Sequence, residues 1–340
     1  MKYLEQVSTD KPVSLIGLGT WQFGSREWGY GDSYSSDEAS RIVARAVDLG
    51  ITLFDTAEAY GFGRSERILG AALAASDALE QSFVATKHFP IFPIAQVVAQ
   101  RGRASAGRLG VSSIDLYQVH QPNPIIRDGT TMAGMRVLQE AGTVVHVGVS
   151  NYSLARWQQA EQDLAGPVVS NQVQFSLAHS APLDDLVPYA AAEGRFVIAW
   201  SPLAQGLLSG RYDATHQPSG AVRRMNPLFL EENLQRAAGL LDALRDIADA
   251  HDASPAQVAL AWLIHQPGVV AIPGASSVEQ LEKNVEAADL SLTDAEVADL
   301  TAQAQAFTPL STLRAGRGLV RQRLSRGRPT DTEDEIDPSE

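Results

Sequence analysis

Phe54-Asp55-Thr56-Ala57-Glu58-Ala59-Tyr60-Gly61 puts an acid where the short apolar run Ile51-Thr52-Leu53-Phe54 should end, and a phenol a few residues further on in a glycine-bounded loop. A carboxylate at the end of a buried strand costs free energy unless a cation meets it. One reading is local: Asp55 caps turn amides and Tyr60 packs as an ordinary aromatic. The other requires a cationic partner from elsewhere in the chain, and the search for that partner decides the fold.

Working outward, short apolar runs alternate with amphipathic segments. The runs are Ser14–Gly17, Ile51–Phe54, Phe83–Thr86, Ile114–Val119, Val144–Val149, Val168–Ser170, Phe196–Trp200 and Val269–Ile272. Helical patterns are expected over 36–49 (with Ser36 or Asp37 as cap), 65–75, 94–109, 131–141, from Ser153, 183–193, 231–251, 255–266 and 294–306. Ser254-Pro255 reads as a cap followed by proline at the first helical position. The runs are rich in Val, Ile and Leu with little alternation, as strands buried on both faces should be. Repeated strand–helix units imply parallel pairing through right-handed crossovers. Eight units favour an α/β fold of one closed (β/α)₈ TIM barrel over a doubly wound sheet. A long loop, about 203–227, follows the seventh strand. The barrel is expected to span residues 1–306. Residues 307–340 form a C-terminal loop and a tail whose arginines (314–328) and acids (331–340) segregate, a pattern expected to be disordered.

Composition narrows the function. The net charge of −13 argues against general nucleic-acid binding, which needs basic surface. There is no cysteine, so neither disulfides nor thiolate chemistry enter. With no signal-type apolar region near the N-terminus and no apolar run of membrane-spanning length, a cytoplasmic protein without a membrane partner is expected. Nothing in the sequence speaks to oligomeric state.

In a parallel barrel the chemistry gathers at the carboxyl ends of the strands. Asp55 ends the second run, Lys87 the third and His120 the fourth; Ser150-Asn151 follow the fifth, Asn171-Gln172 the sixth and Ser201 the seventh. Closure brings these ends onto one rim, where Lys87 can reach Asp55. An ammonium beside a phenol is expected to lower its pKa, and a neutral histidine can hydrogen-bond a carbonyl oxygen. This set suits carbonyl reduction, with hydride arriving at carbon and Tyr60 protonating oxygen. Gly17-x-Gly19 is no dinucleotide fingerprint, because residue 22 is Gln22 and no helix begins there.

These residues sit within Gly17-Leu18-Gly19-Thr20-Trp21, Phe54–Gly61, Ala85-Thr86-Lys87, Asp115–His120, Gly148-Val149-Ser150-Asn151, Ser201-Pro202-Leu203 and Ile272-Pro273-Gly274-Ala275-Ser276-Ser277. Together and in order, the stretches resemble the aldo-keto reductase family. The resemblance implies an NADPH-dependent barrel enzyme reducing aldehydes or ketones, with NADH also possible and no metal. Its catalytic tetrad maps onto Asp55, Tyr60, Lys87 and His120. Its cofactor contacts map onto Gly19, Thr20, Trp21, Ser150, Asn151, Gln172, Trp200, Ser201, Leu203, Gly206, Gly274, Ser276, Ser277, Gln280 and Asn284. Trp21, Phe23, Trp28, Phe89 and Phe92 are expected to wall the substrate pocket, with a small-molecule carbonyl as the partner. Many members hold the adenosine 2′-phosphate with Lys or Arg where this chain has Ser276, Ser277 and Gln280, so selectivity over NADH is expected to be modest. A cofactor-sensing binding protein, similar to the potassium-channel β subunits of the family, is the alternative function. A barrel metal hydrolase is disfavoured, since only His120 and Asp55 qualify as ligands.

Overall fold

A computed structural model describes residues 1–310 except 6, 8, 26–30, 32–34, 214–215, 219–222 and 224. The apolar runs become β1 (Leu18–Gly19), β2 (Leu53–Asp55), β3 (Phe83–His88), β4 (Ile114–Val119), β5 (Val144–Ser150), β6 (Val168–Gln174), β7 (Phe196–Trp200) and β8 (Val269–Ala271). They pair in sequence order, every pair parallel. The parallel bridges Ile16–Ala271 and Gly19–Gly274 bring the two edges together, giving a curled, TIM-like barrel. At that seam a Cβ on Gly19 would stand 2.8 Å from the Ile272 carbonyl oxygen, so only glycine lets the edges approach so closely.

Helices follow the strands: α1 (Ser36–Asp48), α2 (Arg64–Ala75), α3 (Ala95–Leu109), α4 (Asp128–Glu140), α5 (Leu154–Leu164) and α6 (Leu186–Glu193). After β7 come α7 (Glu231–Arg236), α8 (Ala238–Ala250) and α9 (Pro255–His265), and after β8 come α10 (Val278–Glu286) and α11 (Asp294–Ala306). Ser254 and Gln257 form the reciprocal cap that opens α9, with Pro255 in its first turn, as the sequence pattern requires.

Some boundaries differ from expectation. The first ladder begins at Leu18 rather than Ser14, because the Ser14 side chain accepts from the Thr52 and Leu53 amides where a strand partner's carbonyl would. The cap of α1 is Ser35, not Ser36 or Asp37. The 231–251 pattern divides into α7 and α8 at Ala237, where ψ is −7°. Strands β3 and β6 run on past their apolar cores, so Lys87 and Gln172 lie inside strands rather than after them. Trp28, part of the 203–227 loop and the tail beyond residue 310 lie outside the described residues. No described helix is long and apolar enough to cross a membrane.

The two-residue period of a strand decides where the polar groups fall. Leu53, Phe83, Ala85, Leu116, Phe196, Ile198 and Val270 form one apolar cluster. Asp55, Lys87 and Gln118 lie two residues beyond Leu53, Ala85 and Leu116, on the same strand face. That face is therefore largely apolar along the strands, with Asp55, Lys87 and Gln118 towards the carboxyl ends and His146, stacked on Phe83, as a polar exception nearer the amino ends. A larger cluster fills the space between sheet and helices and includes Trp157, Phe175 and Trp262.

Candidate active site

The cation demanded by Asp55 is Lys87. Its Nζ donates to Asp55 Oδ1 at 2.6 Å and to the Thr56 carbonyl at 2.8 Å, and it lies 3.4 Å from Tyr60 Oη. Both charged side chains are almost fully buried, at 1% and 2% exposure, so the charges depend on each other for solvation. The other carboxylate oxygen, Oδ2, accepts from Gln172 Nε2 at 2.7 Å. The Asp55 carbonyl receives the Thr20 amide and hydroxyl, and Ser65 bonds both Thr20 and Thr56 behind the strand end.

Tyr60 is delivered by the loop between β2 and α2. That loop is fastened to β3 by Thr56 N to the Ala85 carbonyl at 2.8 Å and by Glu58 N to the Lys87 carbonyl at 3.3 Å. A tight turn at Tyr60–Gly63 follows, with Gly61, Phe62 and Gly63 all at positive φ. The Tyr60 ring meets His120 edge-on with centroids 5.7 Å apart and lies 6.3 Å from Trp21. Lys87 Nζ stands 5.0 Å from the centroid of that ring. Phe89 also packs edge-on against His120, centroids 5.6 Å apart.

Burial is the largest influence on each titration. It raises the Tyr60 pKa; Lys87 pulls it down and Asp55 pushes it up, and the net shift is upward from 10.0. This corrects the expectation that the ammonium leaves the phenol with a lowered value: desolvation of the phenolate outweighs it. For Lys87 burial acts downward, but Asp55 and Tyr60 overcome it and the pKa rises. Burial, with the Lys87 charge, brings His120 down to about 3, so its imidazole is neutral.

Asn151, at φ 61°, ties three strand ends. Its Nδ2 donates to the His120 carbonyl at 3.2 Å and to Ser150 Oγ at 3.1 Å, while its Oδ1 accepts from Trp200 Nε1 at 3.1 Å. Ser150 Oγ donates to the Gln172 carbonyl at 2.8 Å. The four residues matched to the nicotinamide thus form one connected group on the rims of β5, β6 and β7. Among the described residues none donates to the Gln172 amide oxygen, while its nitrogen serves Asp55.

Ser201 (φ 49°) and Gly206 (φ 97°) hold left-handed positions either side of Leu203, whose carbonyl accepts the Gly206 amide at 2.9 Å. Past β8, Gln22 Nε2 reaches over to the Ala275 carbonyl at 2.9 Å, and Asn284 donates to the Gly274 carbonyl at 3.3 Å. Gln280 Oε1 accepts from both the amide (2.8 Å) and the hydroxyl (3.2 Å) of Ser276, and Ser277 caps α10 by accepting the Gln280 amide. The Ser276 donors are thus taken up by Gln280, and among the described residues no cationic side chain is bonded to Ser276, Ser277 or Gln280. Lys283 is in the last turn of α10.

Three wall or cofactor assignments need correction. Phe23 is fully buried in the sheet–helix core, so it presents no face to a ligand. Phe92, at φ 48°, turns outward with 74% of its surface exposed, so it encloses no wall. The Thr20 side chain is buried, and its hydroxyl braces Asp55. Trp21 and Phe89 remain beside Tyr60 and His120. Sequence reasoning missed the Gln172–Asp55 bond and the ion pair of Glu58 with Arg101; the signal for the second was an acid left unexplained inside the Phe54–Gly61 stretch. Among the described residues no group of three His, Asp or Glu side chains is arranged to hold a metal ion.

A sequence model described as the aldo/keto reductase family matches residues 15–305. The chain belongs to that family. It is 59% identical over 326 residues to an uncharacterized oxidoreductase of Mycobacterium tuberculosis, covering 96% of this chain and all of the relative. Among solved structures it is similar to the glycerol dehydrogenase of Gluconobacter oxydans (TM-score 0.80, 28% identity, 91% of this chain and 98% of that one). It is also similar to an aldo-keto reductase of Klebsiella pneumoniae in complex with NADPH (TM-score 0.71, 26% identity, 92% and 97%). Within this family the protein is an NAD(P)H-dependent oxidoreductase.

Proposed function

We propose that this aldo-keto reductase uses NADPH to reduce aldehydes or ketones to alcohols, with residues 1–306 as its catalytic unit and Tyr60 as general acid. The observation that carries the reading is the 3.4 Å approach of Lys87 Nζ to Tyr60 Oη while Asp55 holds the same ammonium at 2.6 Å. A bound reduced nicotinamide supplies hydride to the carbonyl carbon; the protein's own part is the proton.

Tyr60 is protonated at neutral pH, because burial raises its pKa. It therefore carries the proton that the carbonyl oxygen needs as negative charge builds there. When that proton leaves, the phenolate is held by Lys87, whose own charge is secured by Asp55. His120, neutral, gives the oxygen a hydrogen bond without competing as a proton donor. Trp21 and Phe89 flank Tyr60 and His120 and favour carbonyl compounds with apolar bodies.

The residues present fit a nicotinamide cofactor. Ser150, Asn151 and Gln172 would hold its carboxamide, Trp200 would stack beneath the ring, and Ser201, Leu203 and Gly206 would line the path of the phosphates. Gly19 and Trp21 would border it from the first strand end. Gly274, Ser276, Ser277, Gln280 and Asn284 would surround the adenosine end. NADPH is the favoured form because the Klebsiella relative is solved with it.

The test is Tyr60→Phe. Turnover of any accepted carbonyl should fall by about 10²–10⁴, while NADPH still quenches tryptophan fluorescence at wild-type concentrations. Near-native turnover would overturn the assignment.

A further inference from the structure

Glu58 stands between Asp55 and Tyr60 in the loop that carries the phenol, and nothing in the proton chemistry above uses it. Its side chain is only 8% exposed. The Phe89 amide donates to Oε1 at 2.5 Å, and Arg101 Nε donates to Oε2 at 2.9 Å. A terminal Arg101 nitrogen lies 2.9 Å from Oε1, completing a two-point clamp of guanidinium on carboxylate. The remaining neighbours are His88 Nδ1 at 3.5 Å and a terminal nitrogen of Arg108 at 4.0 Å. Burial pushes the Glu58 pKa up, but the nearby His88, the Phe89 amide and Arg101 outweigh it and the net shift is downward, so the group is ionised at neutral pH.

What this carboxylate joins gives it a role. Its own amide fixes the Tyr60 loop to the Lys87 carbonyl. Its side chain fixes the Phe89 backbone, and the Phe89 ring leans on His120. The His120 amide in turn donates to the His88 carbonyl at 2.9 Å. Arg101 projects from α3, a rigid element behind both segments. The loop presenting the acid and the wall supporting the imidazole are thus pinned to one buried ion pair.

We propose that Glu58, clamped by Arg101, is a positioning residue that sets the placement of Tyr60 relative to His120 for proton delivery to the substrate oxygen. This rests on Tyr60 being the general acid. Misplacing a reacting group by about 1 Å can cost roughly a hundredfold in rate. Glu58→Ala should therefore lower kcat for carbonyl reduction by up to about a hundredfold. The Kd for NADPH, read by tryptophan quenching, should stay within about twofold, because Glu58 and Arg101 bond none of Ser150, Asn151, Gln172 and Trp200.

Glu58→Gln keeps an oxygen for the Phe89 amide and should recover part of the loss, while Arg101→Met should reproduce part of it. In a Tyr60→Phe background, Glu58→Ala should cost less than about twofold more, since there is then no proton donor to position. If Glu58→Ala does not fold, Glu58→Gln and Arg101→Met carry the same comparison against Tyr60→Phe. The proposal is overturned by near-native kcat in the variants, by loss of NADPH binding in parallel with kcat, or by a full further loss on top of Tyr60→Phe. The general-acid reading survives all three; only near-native turnover in Tyr60→Phe itself would remove it, and this proposal with it.

Discussion

Gln172 Nε2 and Lys87 Nζ hold opposite oxygens of the Asp55 carboxylate, at 2.7 and 2.6 Å, one from β6 and the other from β3. The acid is thereby fixed from two sides of the barrel, and its orientation follows from both. Replacing Gln172 by Leu leaves Oδ2 without its donor and lets the carboxylate turn. We expect kcat to fall by about tenfold, since a hydrogen bond to a charged group contributes about 1.5–3 kcal/mol. The KM for cofactor should rise as well, a combination that steady-state kinetics with both substrates varied will reveal.

Lys87→Met leaves Asp55 buried and unpaired. Breaking a buried pair from one side costs about 3–5 kcal/mol, so a clear drop in urea midpoint is expected together with loss of turnover. Adding Asp55→Asn should return much of the stability and none of the activity. A double variant no more stable than Lys87→Met would show that the pair does not act as a unit.

His120 has a pKa of about 3 in the folded protein against an ordinary value of 6.5. A depressed pKa means that the folded state disfavours the proton, so the stability linked to this group is full above pH 6.5 and is lost as pH falls towards 3. His120→Gln should flatten the acid side of the stability curve measured by thermal melts at successive pH values. On the alkaline side, Tyr60 titrates above its usual 10.0, so kcat/KM for reduction should be level from pH 7 to pH 9.

Ser276 and Ser277 both bond Gln280, and a 2′-phosphate seated there as proposed would meet hydroxyls without positive charge. Discrimination between NADPH and NADH should accordingly be modest. Gln280→Arg should tighten NADPH by about tenfold, the scale of one charge-assisted bond, and leave NADH nearly unchanged; fluorescence titration with both cofactors is the check.

The strand–helix alternation and the Asp55–Lys87 pairing were legible because both follow from solvation. Unalternating apolar runs need cover on two faces, and a buried acid needs a cation. Other features were set by contacts between distant segments that no local pattern encodes. Phe23 reads as a pocket aromatic but is drawn into the core, while Phe92, in the β3–α3 loop, is turned out by a left-handed backbone. The Tyr60 pKa depended on how far burial outweighs a neighbouring charge, a balance visible only in three dimensions. Gln172 gave no sequence sign that its side-chain nitrogen would reach an acid across the barrel while its backbone carbonyl holds Ser150.

The single side chain of Asn151 joins the His120 carbonyl to the Trp200 indole. In the proposed reading, the residue under the nicotinamide and the residue facing the substrate oxygen share one fastening. If the ring lies on Trp200 and the carbonyl oxygen meets His120, a change at Asn151 should move both Michaelis constants together.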